Sequence, residues 1–180
     1  MASDVGQAPH EEPDKEILRG ARLVIVGAGV MAEAMVAGLL NREMVAPSQI
    51  VASHPRAERR AQLTHRFGIG TVESNREAVE QGDLVLLTVK PQVLGGVMKQ
   101  LHGRLEPRQV AVSGIAGASI STLSQGLGHD AIVRVMPNTP AQVGRGMSVW
   151  TATPDVDATQ RARVKAILGA LGEELWVEEE

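Results

Sequence analysis

Two closely spaced glycines are the feature of this sequence that most directly indicates a chemistry. Gly27 and Gly29 follow an apolar run, and Ala32 completes a Gly-x-Gly-x-x-Ala pattern. Between a strand and a helix, the first glycine permits a tight turn, the second lets the backbone approach a pyrophosphate, and the alanine permits close packing. The N–H groups of Val30 and Met31, at the start of the helix, would bind the phosphates. The pattern predicts a dinucleotide site, with a simple turn as the alternative.

The end of the second predicted strand indicates which dinucleotide fits. A carboxylate about 20 residues beyond such a glycine pattern binds the ribose 2′-hydroxyl of NAD. This sequence instead has Ser53, His54 and Arg56 there. A serine hydroxyl can donate a hydrogen bond, and an arginine fork suits a phosphate group. We predict NADP as the cofactor, with NAD as the second choice; the alternative is a polar turn with Arg56, Arg59 and Arg60 on a solvated face.

Alternating strands and helices must position these residues. Residues 21–26 form a continuous apolar run, typical of a strand buried on both faces. The alternation continues along the chain and predicts an α/β, Rossmann-like, doubly wound and mostly parallel sheet, with helices on both faces and ligands at the carboxyl ends of the strands. Strands are predicted at 21–26, 49–52, 69–72, 83–89, 109–112, 131–135, 146–150 and 174–177, and helices at 33–40, 57–67, 74–82, 91–101, 119–125 and 155–171.

The composition excludes several classes of partner. The 180 residues carry 18 Lys and Arg against 21 Asp and Glu, a net charge of −3, so no positive field would attract nucleic acid or a membrane surface. The sequence has no cysteine and no metal-ligand spacing, so we expect neither a disulfide nor a metal site. A cytoplasmic location is the expectation, and no side chain is assigned a catalytic role.

The first residues differ from the rest in composition. Residues 1–20 are polar and acidic, and they lack the apolar run that a signal peptide or membrane helix requires. We predict a disordered leader over residues 1–20 and a single dinucleotide-binding domain over residues 21–180.

Four segments of the sequence resemble one enzyme family. They are Gly27-Ala-Gly-Val-Met-Ala-Glu-Ala-Met35, Ser74-Asn-Arg-Glu-Ala-Val79, Val89-Lys-Pro-Gln92 and Val133-Arg-Val-Met-Pro-Asn-Thr-Pro140. Together they resemble the amino-terminal domain of pyrroline-5-carboxylate reductase. The resemblance implies NAD(P)H-dependent reduction of a small molecule, the cyclic imine 1-pyrroline-5-carboxylate, to proline.

The resemblance adds cofactor contacts in two loops. Val89, Lys90 and Pro91 follow the fourth predicted strand, where a lysine at the ligand edge contacts the cofactor in this family; a solvated lysine is the alternative. Asn75 begins a short predicted helix. The resemblance makes it an adenosine-ribose contact, whereas the alternative is a helix cap.

Two further loops are candidates for the nicotinamide end of the cofactor. Asn138 lies between Pro137 and Pro140 in a predicted loop, where its amide could face the nicotinamide carboxamide, or could instead form an Asx-turn. Ala116 and Gly117 follow the fifth predicted strand, and their small size lets the backbone approach the nicotinamide ring. A plain glycine loop is the alternative there.

Reductases of this family continue into a helical domain that forms the dimer and carries a substrate loop, and this sequence ends at Glu180. We therefore expect the chain to supply the cofactor-binding half, and a homo-oligomer only together with that helical domain. Two other hypotheses stay open. One is a stand-alone NADP-binding module without chemistry, and the other is a related deazaflavin-dependent NADP oxidoreductase.

Overall fold

The computed structural model describes residues 14–138 and 146–178. The strands are β1 (Leu23–Val26), β2 (Ile50–Ser53), β3 (Gly70–Val72), β4 (Leu84–Leu87), β5 (Val110–Ser113), β6 (Ile132–Asn138), β7 (Gly146–Ala152) and β8 (Gly172–Trp176). The helices are α1 (Val30–Asn41), α2 (Ala57–Phe67), α3 (Asn75–Val79), α4 (Pro91–Leu101), α5 (Ile120–Leu127) and α6 (Ala158–Leu171), with 3₁₀ helices at Glu16–Leu18 and Pro47–Gln49. Across these two stretches, no helix combines the length and the apolar character needed to cross a membrane.

Within the described residues the strands form one sheet in the order β3-β2-β1-β4-β5-β6-β7-β8. Neighbouring strands are parallel except β6 and β7, which are antiparallel. The chain adds β2 and β3 on one side of β1 and then returns to add β4 on the other side. This reversal opens a crevice at the carboxyl ends of β1 and β4, where doubly wound sheets bind ligands. The predicted fold class is confirmed.

Both faces of the sheet are buried at β1, β2, β4 and β5, as the apolar run of β1 requires. Leu23 and Ile25 point into a core built with side chains of α1, α2 and α6. Val24 and Val26 point into a second core, built with α3, α4 and α5. Successive side chains of a strand alternate between its faces, so a strand covered on both sides needs an apolar residue at every position.

The strand β6 extends further along the chain than predicted. The sequence predicts a strand that ends near residue 135 and a loop that contains Pro137 and Asn138. In the structure β6 continues to Asn138 and pairs with β7, with Pro137 opposite Ser148 and Asn138 opposite Met147. The pairing of β5 with β6 runs to Arg134, and beyond it this side of β6 is an edge, where a proline is tolerated. The loop prediction for Pro137 and Asn138 is therefore wrong.

The packed part of the chain begins before the predicted boundary at residue 21. Leu18, at the end of the first 3₁₀ helix, is completely buried in the core that contains α1 and α6. Gln49 Nε2 donates to the Leu18 carbonyl oxygen at 2.9 Å and fixes the segment against the start of β2. For residues 14–20 the structure thus differs from the predicted disordered leader, because Leu18 finds an apolar site between distant helices. Residues 1–13 lie outside the described part.

Candidate cofactor site

The turn after β1 has a conformation that favours glycine. Gly27 has a φ of +93°, and a Cβ there would lie 2.7 Å from Val89 Cγ1 and 3.1 Å from the Val89 backbone nitrogen. The Gly27 N–H donates to the Ser53 carbonyl oxygen at 3.3 Å. The Thr88 hydroxyl donates to the Gly27 carbonyl oxygen at 2.6 Å. The turn is therefore held by the end of β2 on one side and by the loop after β4 on the other.

Gly29 leaves open space in front of α1. It precedes the helix with a φ of −87°, and a Cβ built there would have no neighbour within 4 Å. The Glu33 N–H donates to the Gly29 carbonyl oxygen at 3.1 Å. The N–H groups of Val30, Met31 and Ala32 precede that donor and have no acceptor within the helix. Open space and free N–H groups at a helix start fit a pyrophosphate, and Ala32, 2% exposed, packs the helix onto the sheet.

Two of the predicted site residues are hydrogen-bonded to each other. Ser53 is fully buried, and its hydroxyl donates to Asn75 Oδ1 at 2.7 Å. Asn75 Nδ2 donates in turn to Gln100 Oε1 at 2.9 Å. The residue that caps α3 is Ser74, whose hydroxyl accepts the Glu77 N–H at 3.4 Å. The helix-cap alternative for Asn75 is therefore wrong, and Ser53 orients Asn75 from within the sheet.

The three arginines near the end of β2 have different surroundings. Arg59 Nε donates to the Ala28 carbonyl oxygen at 2.8 Å, and Arg60 donates to the His54 carbonyl oxygen at 2.7 Å. The side chains of Arg59 and Arg60 are only 19% and 20% exposed. Arg56 is exposed, and among the described residues no side chain or carbonyl forms a hydrogen bond or ion pair with its guanidinium. The solvated-face alternative is wrong for Arg59 and Arg60, and Arg56 is free to bind an anion.

His54 lies between the end of β2 and Arg56. Burial lowers the pKa of its imidazole below the ordinary 6.5, and the nearby Arg56 guanidinium lowers the pKa further. The imidazole is therefore neutral at neutral pH, and its Nδ1 accepts the Arg56 N–H at 3.1 Å. This bond fixes the backbone from which the Arg56 side chain extends.

The remaining predicted residues lie in loops at the same edge of the sheet. Lys90 and Pro91 are exposed, and Pro91 is the first residue of α4. Ala116 and Gly117 are exposed in a turn after β5, in which Gly117 has a φ of +79°. Asn138 ends β6, and its side chain lies outside the described part. A solvated lysine and a plain glycine turn stay open as alternatives at the first two loops.

An apolar cavity of about 40 Å³ lies between the sheet, α1 and α6. Its walls include Met31 of α1, Thr88, Pro137 of β6, Ser148 of β7 and Ile167 of α6. Within the described residues, no ionisable side chain lines it. Thr88 and Ser148 were not predicted as site residues. The position of Thr88 directly after the apolar run of β4 was a usable signal, whereas Ser148 reaches the cavity only through the pairing of β6 with β7.

Two curated proteins of similar sequence carry the same name. A pyrroline-5-carboxylate reductase from Pseudomonas aeruginosa is 41% identical over 160 residues, which cover 88% of this chain and 58% of the relative. A pyrroline-5-carboxylate reductase from Synechocystis is 39% identical over 158 residues, which cover 88% of this chain and 59% of the relative. The predicted resemblance is confirmed. The chain spans less than two thirds of the length of these curated relatives.

Solved structures agree with the sequence relatives. A pyrroline-5-carboxylate reductase from Coxiella burnetii has 28% identity and a TM-score of 0.84, over 89% of this chain and 60% of that one. A Plasmodium falciparum pyrroline carboxylate reductase with NADP bound has 25% identity and a TM-score of 0.78, over 88% of this chain and 58% of that one. A prephenate dehydrogenase from A. aeolicus, at 15% identity and a TM-score of 0.74, shares the fold alone.

A family match covers the part of the chain that builds the crevice. Residues 22–117, from the start of β1 to the turn after β5, match the family described as NADP oxidoreductase, coenzyme F420-dependent. The matched range contains the glycine turn, the loop after β2 and the loop after β4. The description names NADP, in agreement with the cofactor predicted from the end of β2. The chain therefore belongs to the NADP oxidoreductase, coenzyme F420-dependent, family.

Proposed function

We propose that this chain binds NADP(H) and supplies the cofactor-binding part of a reductase that converts 1-pyrroline-5-carboxylate to proline. The observation that carries the proposal is the convergence of four loops, those after β1, β2, β3 and β4, at one edge of the sheet. Gly27 packs against Val89, Ser53 holds Asn75, and Arg56 extends unpaired from the loop after β2. The similarity to pyrroline-5-carboxylate reductases supports the substrate class.

The loops after β1, β2 and β3 would each bind a different part of the cofactor. The start of α1, with Gly29 before it and the N–H groups of Val30, Met31 and Ala32, would bind the pyrophosphate. Arg56 would bind the 2′-phosphate, because no carboxylate stands at the end of β2 to repel that group. Asn75 would bind the adenosine ribose.

The other predicted site residues would contact the remaining parts of the cofactor. Lys90, with Val89 and Pro91, would contact the cofactor from the loop after β4. Ala116, Gly117 and Asn138 would lie towards the nicotinamide.

Reduction of a cyclic imine needs little from side chains. When bound, NADPH would supply a hydride to the imine carbon and become NADP⁺. The C=N electron pair would move to the nitrogen, which must carry or receive a proton. The cavity between the sheet, α1 and α6 has no ionisable lining among the described residues, so we assign to this chain the orientation of the reactants and the exclusion of water.

Gly29→Ala tests the cofactor site. The backbone at Gly29 suits alanine and the new Cβ meets no neighbour, so the free energy of unfolding should change by less than about 0.5 kcal/mol. The same Cβ would occupy the space proposed for the pyrophosphate. Calorimetric titration is expected to show NADP⁺ binding about tenfold weaker than to the wild-type chain. Equal affinities would contradict the pyrophosphate assignment, and no binding to the wild-type chain would overturn the proposed cofactor.

The reaction is tested with a chimera in which this chain replaces the matched part of the Pseudomonas aeruginosa relative. We expect the chimera to oxidise NADPH when 1-pyrroline-5-carboxylate is added, and a chimera that carries Gly29→Ala to do so much more slowly. The family description keeps a deazaflavin acceptor as the second candidate. NADPH formation or loss with a deazaflavin, and none with the imine, would favour that candidate. NADP⁺ binding without turnover of either substrate would favour a binding module.

We also propose a cytoplasmic location, which the lack of cysteine supports. Pairing between copies is assigned, through the resemblance, to a helical domain and not to the residues described here.

A further inference from the structure

Arg59 connects α2 to the glycine turn and to α1 through a hydrogen bond and an ion pair. Its Nε donates to the Ala28 carbonyl oxygen at 2.8 Å, and Ala28 lies between the two glycines of the turn. Its Nη1 lies 3.0 Å from Glu33 Oε1. The side chains of Arg59 and Glu33 are 19% and 24% exposed, so the two charges are shielded from water more than an ordinary surface pair.

The bond to Ala28 fixes the direction of a neighbouring donor. In a trans peptide the carbonyl and the N–H point in opposite directions. The peptide between Ala28 and Gly29 therefore directs the Gly29 N–H away from α2 as long as Arg59 holds the Ala28 oxygen towards α2. An unrestrained peptide could rotate and present its carbonyl oxygen, which repels a phosphate.

Glu33 places a negative charge close to the proposed phosphate site. It lies in the first turn of α1, where a carboxylate stabilises the helix but repels an anionic ligand bound at the same end. Two cations face its Oε1: Arg59 at 3.0 Å and Arg66 at 3.5 Å. Arg66 is 62% exposed, so Arg59 is the less hydrated of the two partners.

We propose that Arg59 is a positioning residue of the dinucleotide site, which orients the Ala28–Gly29 peptide and neutralises Glu33 so that the start of α1 accepts a pyrophosphate. This inference rests on the proposed function. Because NADP and NAD share the pyrophosphate, Arg59 acts equally on both, whereas Arg56 acts on NADP alone.

The test is calorimetric titration with NADP⁺ and with NAD⁺ of Arg59→Ala, Glu33→Gln and the double variant. Arg19→Ala removes an exposed arginine outside the site and is the charge-matched control. We expect Arg59→Ala to weaken both dinucleotides by roughly tenfold, as the loss of a charge-assisted bond implies. The double variant should recover part of that loss, because the unpaired carboxylate is gone. Arg19→Ala should match the wild-type chain.

Urea unfolding of each variant without cofactor separates positioning from folding. A purely structural contribution would lower the free energy of unfolding of Arg59→Ala while the folded protein kept its affinities. Such a result would overturn the inference. So would a loss of affinity confined to NADP⁺, or a double variant that recovers none of the lost affinity.

Should Arg59→Ala not fold, the second variant is Arg59→Lys, which keeps the charge beside Glu33 but lacks the guanidinium fork. We expect it to weaken the binding of both dinucleotides equally and by less than tenfold. If the wild-type chain binds both dinucleotides and the Arg59 variants bind them with the same affinities, the inference about Arg59 is overturned and the proposed function is not. If the wild-type chain binds neither dinucleotide, the inference and the proposed function are both overturned.

Discussion

Gly27→Ala is expected to lower the free energy of unfolding by about 2–4 kcal/mol, as the sum of two penalties. The first is the φ of +93°, which an L side chain rarely adopts. The second is the contact of the new Cβ, 2.7 Å from Val89 Cγ1 and 3.1 Å from Val89 backbone atoms that β4 and α4 hold on either side. Because the turn must move to relieve both, NADP⁺ binding should be lost as well. Urea unfolding and calorimetry measure the two effects.

Gly95→Ala is the matched control for this prediction. Gly95 lies on the exposed side of α4, and a Cβ there meets nothing within 4 Å. Alanine should therefore raise the free energy of unfolding by about 0.5–1 kcal/mol, through its better helix propensity. A Gly27→Ala protein as stable as the wild-type chain would show that the turn adapts easily, and it would contradict the close packing of Gly27 on Val89.

Arg56→Ala is expected to weaken NADP⁺ binding roughly 10- to 100-fold and to leave NAD⁺ affinity within about twofold of the wild-type value. A guanidinium that binds a phosphate contributes about 1.5–3 kcal/mol, and NAD lacks the 2′-phosphate. Because the Arg56 guanidinium has no hydrogen-bond or ion-pair partner within the described residues, and the backbone N–H that His54 accepts is kept in the variant, the substitution should not change the free energy of unfolding measurably. Parallel titrations with the two dinucleotides give the affinities.

Arg60→Ala is the comparison that tests the assignment to Arg56. Arg60 is held by the carbonyl oxygens of His54 and Pro55, at 2.7 and 3.0 Å, so its loss should lower stability more than it changes dinucleotide preference. If Arg56→Ala weakens the binding of NADP⁺ and NAD⁺ equally, or does not weaken it, the assignment of the 2′-phosphate to Arg56 is wrong. If Arg60→Ala instead changes the preference for NADP⁺ over NAD⁺, the 2′-phosphate is assigned to Arg60.

Local patterns predicted the elements well where the cause is local. The helix 57–67 was predicted with the bounds that α2 shows, because Gly68 ends it in the left-handed region with a φ of +70°. Pro91 marked the start of α4 for the same kind of reason, since its fixed φ and missing N–H suit the first turn. The course of Pro137 and Asn138 was not predictable, because it depends on pairing with β7.

The features of the candidate site likewise include some that the sequence predicts and some that depend on the tertiary structure. The spacing of Gly27 and Gly29, and the lack of a carboxylate at the end of β2, are readable from the residues. That Ser53 is buried and holds Asn75 cannot be predicted from local patterns, because the hydroxyl ends β2 and the amide begins α3, 22 residues further along the chain, and the two meet only in the folded structure. The cavity wall at Ser148 likewise requires β7 to fold back on β6.

The sequence by itself determined the doubly wound fold, the glycine turn and the kind of cofactor, since backbone freedom at glycine and continuous apolar runs act within a few residues. The tertiary structure alone decided which of three neighbouring arginines is free. The guanidinium of Arg59 is bound to the Ala28 carbonyl and that of Arg60 to the His54 carbonyl, whereas the Arg56 guanidinium has no hydrogen-bond or ion-pair partner among the described residues. The physical reason is that a long side chain takes its hydrogen-bond acceptors from whatever the fold brings within about 3 Å, and no local pattern records that.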